Sequence, residues 1–209
     1  MRIGIPVYDG VDMLDVAGPY ELFITAGYEI EVVSAAGKDV PLTFRGGFSF
    51  NVGKSFKDAA SFEVLWVPGG DPPALNKQMS DQTYLGFLQD RGRDAKYVCS
   101  VCEGALLLAA AGLLDGYTVT THWAFYPCMA RFPNVTLASG YPRYCLDRNR
   151  LTGGGISSGL DEALMLIQLI SGTQKAQDVQ QFTQYYPRPP VTSTIVPETE
   201  CPLDKLKKH

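Results

Sequence analysis

Nucleophilic chemistry at neutral pH needs a side chain that the fold presents and activates, and one stretch of this 209-residue chain has the right residues in the right order. Residues 95–108, AKYVCSVCEGALLL, run from an apolar strand into an apolar helix. Tyr97, Val98 and Val101 read as a short buried strand. Glu103 through Ala111 reads as a helix of strong formers, with the small Gly104 at its start and no interior proline. Cys102 therefore falls at a strand-to-helix turn. Such an elbow points a side chain out above a sheet, and the free N–H groups of the helix's first turn favour a thiolate. The expectation is an exposed, activated thiol rather than an inert buried cysteine.

The other reactive side chains are fewer and each has a plainer alternative. Cys99 and Cys102 spell C-x-x-C, but three residues of strand span about 10 Å, more than a disulfide can bridge. Zinc would need two further ligands, and the histidines are only His122 and His209. No metal is expected. His122, between Thr121 and Trp123, reads as a helix-start or packing residue. Asp15 stands near a helix start, where an acid most often caps; beside a thiolate, burial and like charge would instead raise its pKa and let it hold a proton. Gly69 and Gly70 could present backbone N–H groups to an anion, or simply make a tight turn. The five cysteines lack the density of a disulfide scaffold, which suits a reducing compartment.

These residues need elements to hold them. Strand-like and helix-like segments alternate: a strand over 2–8, a helix over 16–26, a strand over 29–35, a hairpin excursion over 40–52 and a buried strand over 64–67. A turn at 68–73 and a helix over 81–93 precede the elbow. A short strand at 118–120, an aromatic helix over 122–132, a hairpin over 143–152 and helices over 159–170 and 173–185 follow. The alternation predicts an α/β fold, a mostly parallel sheet with helices on both faces, in which ligands bind at the carboxyl ends of the strands. The glycine loops at 69–70 and 153–155 and the elbow would then meet in one cleft.

Residues 1–186 read as a single domain, and 187–209 as a proline-rich tail on or near it. A net charge of −4 and the absence of a basic cluster other than KLKK near the end predict no nucleic-acid partner. Without a signal-type leader or a run of 18 apolar residues, a cytoplasmic protein without a membrane partner is expected. Neither glycine run fits a dinucleotide or P-loop fingerprint, so no cofactor is expected.

The stretches YDGVDMLDVAGPYE (8–21), WVPGG (66–70), SVCEGALLLAAAGLLDG (100–116), TTHWAF (120–125) and LTGGGISSGLDEAL (151–164) together resemble the ThiJ/PfpI superfamily, and within it the isocyanide hydratase branch. That resemblance implies a flavodoxin-like sandwich, a homodimer and a small-molecule substrate. It gives Cys102 the role of nucleophile and Asp15 that of proton donor. Gly69 and Gly70 match the loop whose amides face the sulfur, and Gly154, Gly155 and Ile156 match the loop lining the cleft. The implied reaction hydrates an isocyanide to an N-formamide through a cysteine thioimidate, with Phe23, Trp123, Tyr126 and Ile156 as candidate walls. An oxidant or ligand sensor, and a deglycase-like enzyme, are the alternatives. The departure from the branch is Glu103, where hydratases carry Thr and PfpI-type hydrolases carry His. A charged glutamate there would oppose thiolate formation, so Glu103 is expected to be protonated through a shared hydrogen bond or turned away.

Overall fold

In the computed structural model, residues 1–206 are described, so most of the expected basic cluster and His209 lie outside the described residues. The elements in chain order are β1 (Arg2–Val7), α1 (Met13–Thr25), β2 (Glu29–Ser34), β3 (Leu42–Thr43), β4 (Ser49–Phe50), β5 (Lys54–Ser55), β6 (Val64–Val67), α2 (Pro72–Gln78), α3 (Gln82–Asp94), β7 (Tyr97–Ser100), α4 (Gly104–Ala110) and β8 (Thr118–Val119). A 3-10 helix (Trp123–Arg131), β9 (Thr136–Leu137), β10 (Tyr144–Asp147), β11 (Arg150–Gly153), α5 (Ser158–Ser171), α6 (Thr173–Phe182) and α7 (Pro202–Lys205) complete it.

Seven strands make one sheet in the order β10-β11-β7-β6-β1-β2-β5. Every neighbouring pair is parallel except β10 with β11. The central strands are continuous apolar runs because both of their faces are covered: all of Val64–Val67 is buried, as are Ile3, Ile5 and Val7. One group of helices, α1, α5 and α6, packs together, and a second, α3 with α4, packs against β6. This is the expected flavodoxin-like arrangement.

The strand order decides where chemistry is possible. β11, β7, β6 and β1 lie side by side and run the same way, so the loops leaving their carboxyl ends emerge along one edge. Those loops carry Asp12, Gly69–Gly70, Cys102–Glu103 and Gly154–Ile156. Direct hydrogen bonds stitch them together: Asp12 N–H to Gly69 O at 3.0 Å, and Cys102 N–H to Gly154 O at 2.9 Å.

Several boundaries differ from the sequence expectation. α1 begins at Met13, three residues early, so Asp15 sits inside the first turn and is no cap. Pro72-Pro73 opens a short helix instead of ending a turn, because Asp71 caps it by accepting from the Ala74 N–H at 2.9 Å and proline suits a first helical position. The aromatic helix is 3-10, with Pro127 inside it. Two of the five cysteines are not free: Cys128 and Cys201, 73 residues apart, form a disulfide. Nothing in their spacing pointed to it.

Candidate active site

Cys102 occupies the elbow with φ = +57°, a left-handed conformation costing a non-glycine residue about 1–3 kcal/mol. The tightness of the turn follows from Gly104: a Cβ there would lie 2.0 Å from the Val67 carbonyl oxygen, so only glycine lets α4 start so close to β6. The expected exposure is not found. Cys102 is 1% exposed, because the loop after β11 folds over it, tied down by the Cys102 N–H donating to Gly154 O at 2.9 Å. The expected activation is also reversed. Burial first, then the neighbouring Asp15 and Glu103 carboxyls, push the thiol pKa well above its usual value, and the Ile156 amide offsets this only in part.

Asp15 is fully buried beside the sulfur: reactive atoms of Asp12, Asp15 and Cys102 all lie within 4.8 Å of one another. Its Oδ2 accepts from the Gly69 N–H at 2.9 Å, while its Oδ1 has no partner. Burial, with Glu103 and Asp12 nearby, raises its pKa well above the carboxylate range, which favours its protonated form, an acid with a proton to give. Asp12 is held by Arg45 at 2.8 Å, reached from the β3–β4 hairpin. Burial raises the Asp12 pKa and Arg45 opposes the rise.

Glu103 turns inward. It is 4% exposed, its carboxyl lies within 4.8 Å of the Cys102 sulfur, Oε2 has no hydrogen-bond partner, and burial pushes its pKa up to about 7. Of the two arrangements expected from the sequence it is the inward one, not turned away, though without the expected hydrogen bond. Of the two glycines, Gly69 donates its N–H to Asp15, so its amide holds a carboxyl beside the sulfur, a different contact from the one to sulfur that the resemblance implied.

His122 belongs to the site, which the sequence reading did not give it. A ring nitrogen of His122, a Glu103 oxygen and the Cys102 sulfur lie within 4.8 Å of one another. The residue also caps the 3-10 helix, its Nδ1 accepting from the Ala124 N–H at 3.2 Å, and burial lowers its pKa. Nδ1 therefore carries no proton, and Nε2–H is the donor. Cys, Glu and His are donor types that a soft divalent metal accepts.

Glu162 is a second residue that the reading missed. It is fully buried on α5, neither carboxyl oxygen has a hydrogen-bond partner among the described side-chain contacts, and burial together with Asp15 raises its pKa well above normal. A Cβ on Gly153 would fall 2.2 Å from Glu162 Oε2, so β11 needs glycine there to admit the acid. Helical periodicity contains the signal: Gly159, Glu162, Ala163, Leu166 and Ile167 share the buried stripe of α5, so the acid in DEAL points inward.

Beside the site lies a cleft of about 500 Å³ whose lining includes Leu14, Thr121, His122, Trp123, Gly155 and Ile156; Cys102 itself is buried behind this lining, reached through His122. Gly154 and, less expectedly, Ser193 and Ile195 of the tail also border it. Trp123 and Ile156 are walls as expected. Phe23 is instead core, edge-on to Trp66, and the Tyr126 hydroxyl pairs with Thr120 at 2.7 Å.

A buried cysteine at a strained elbow, flanked by carboxyls from the first β–α connection and from its own helix, defines an α/β protein built around one thiol. Comparison with known proteins places it further. The family model described as DJ-1/PfpI matches residues 1–168, and the chain belongs to that family. It is 37% identical to the isonitrile hydratase of Pseudomonas putida over 92% of this chain and 82% of that protein. A deglycase of Thermococcus kodakarensis is 29% identical over 56% of this chain and 69% of its own length. Among solved structures, a ThiJ/PfpI family protein from Pseudomonas syringae matches with a TM-score of 0.84 at 34% identity, covering 91% of this chain and 77% of that one.

Proposed function

We propose that this protein is an enzyme that hydrates a small isocyanide to an N-formamide through a covalent intermediate on Cys102. The single observation that carries the reading is the placement of two buried carboxyls with raised pKa values, Asp15 and Glu103, against the same buried sulfur. An isocyanide carbon must receive a nucleophile and a proton together, and this geometry offers both.

Glu103, with its pKa about 7, takes the thiol proton as sulfur attacks the terminal carbon. Asp15 gives its proton to that carbon, and the product is a thioimidate. In the second half Asp15, now a carboxylate, takes a proton from the attacking water and passes it to the thioimidate nitrogen, then takes the hydroxyl proton as the carbonyl forms. Glu103 returns the proton to sulfur as the C–S bond breaks, and the N-formamide leaves. Both acids end as they began. The hydratase relative supports the choice of substrate class, and a cleft with apolar walls at Leu14, Trp123 and Ile156 suits a group with few polar handles.

The deglycase-like reading has its own observation, the approach of His122 to Cys102 and Glu103. It puts an imidazole where a Cys-His enzyme would use one on a dicarbonyl adduct. Incubation with an aryl isocyanide, followed by ultraviolet absorbance and identification of the formamide, separates the two. Formamide production that disappears in Cys102→Ala supports hydration; an inert isocyanide alongside breakdown of glyoxal adducts overturns it.

A further inference from the structure

The tail follows a definite path. Its root lies against α5, where Tyr185 donates to Asp161 at 2.9 Å and Pro187 and Pro189 share a depression with Leu160. Ser193 and Ile195 then border the cleft beside residues of its floor, His122, Gly155 and Ile156. The far end is fixed: Cys201 is bonded to Cys128, Leu203 is fully buried, and Asp204 pairs with Arg131 at 2.6 Å, so α7 lies against the 3-10 helix and α2. Between these ends, residues 187–200 have no helix or strand, and among the described residues no hydrogen bond ties them to the domain. Val191 and Val196 are 75% and 71% exposed, so little apolar burial holds the segment either.

We propose that residues 191–200 form a strap that, with Ser193 and Ile195, walls the cleft from which His122 leads to Cys102, that this strap sets the size of the electrophile reaching the thiol, and that the Cys128–Cys201 disulfide holds it in place. The strap rests on the proposed reading only in taking Cys102 to be the reacting thiol; it does not depend on isocyanide as the substrate. A segment without hydrogen bonds keeps its position only through its ends, and the disulfide removes most of the freedom at one of them. Ile195 is the apolar contact a bulky substituent would meet.

The test alkylates the whole protein with iodoacetamide and with an N-aryl iodoacetamide and reads modification of the Cys102 peptide by mass spectrometry. The parent is compared with Ile195→Ala and with the double variant Cys128→Ser/Cys201→Ser. The expected result is a shift of about tenfold in the ratio of the two rates, towards the bulky reagent, in both variants, because apolar pockets discriminate by about that much per methylene. An unchanged ratio in both variants overturns the strap. If Cys102 resists both reagents in every protein, the proposed function fails, and hydrogen exchange of the His122, Gly155 and Ile156 amides decides the strap separately. Faster exchange in the double variant supports it; identical exchange overturns it.

Discussion

Burial keeps the Cys102 sulfur protonated, so the nucleophile exists only while a neighbour holds its proton, and Glu103, whose carboxyl lies within 4.8 Å of the sulfur, is that neighbour. The two groups titrate as a pair, and the pair's first proton leaves near 7. The rate of Cys102 alkylation in the parent should therefore rise with pH through about 7. Glu103→Gln should lose that step and gain reactivity only at higher pH; a variant that keeps the step near 7 would show that another base serves the thiol. Asp15 acts at the other end of the reaction. Asp15→Asn keeps the size and the Gly69 contact but has no acidic proton, so turnover should fall by on the order of 10² or more with the fold intact. Activity within a few-fold of the parent, with an unchanged circular dichroism spectrum, would remove Asp15 from the chemistry.

The elements position these groups through close backbone approach more than through side-chain packing. Gly104→Ala would drive a Cβ into the Val67 carbonyl, which is backbone and cannot rotate away. Overpacking of this kind costs about 1–3 kcal/mol, and urea unfolding should show it as a lower midpoint with an unchanged slope. A loss below about 0.5 kcal/mol would mean that the turn relaxes. Strand and helix alternation and the glycine at the elbow made this part of the architecture legible from the sequence, because parallel strands are local apolar runs and the loop order follows from their connections. The orientation of the elbow was not legible. Whether Cys102 faces solvent or the underside of the Gly154–Ile156 loop depends on a contact between residues about 50 apart, and the same holds for His122 reaching the site from the next β–α connection. Glu162 was hidden for a different reason: a helix containing Asp161-Glu162 reads as solvated unless its phase is followed, and the phase puts Glu162 inside. The disulfide, across 73 residues, left no local trace.

At the scale of the whole molecule, Asp15, Glu103 and Glu162 are three buried carboxyls whose pKa values are all raised, chiefly by burial. The native state therefore holds protons that the unfolded chain releases, and the linkage sign is set. The stability these three groups contribute is fully present below the unfolded carboxylate pKa and is lost as pH rises towards the folded values. For Glu103 the window runs from 4.5 to about 7, a change corresponding to roughly 3 kcal/mol. Glu31 and Asp9 act in the opposite sense, with pKa values lowered by hydrogen bonds from Lys54 and Thr43, but both are far more exposed to solvent screening. The melting temperature should thus decline between pH 5 and pH 8. Glu162→Gln tests the sign at the one carboxyl outside the proposed proton transfers. Gln cannot ionise and fits nearly the same space, so the variant should match the parent near pH 4 and melt higher at pH 8, by roughly 2–4 °C for each kcal/mol recovered. A variant that melts lower than the parent at pH 8 would show that Glu162 is held as an anion by a partner, and would reverse the assignment of its charge.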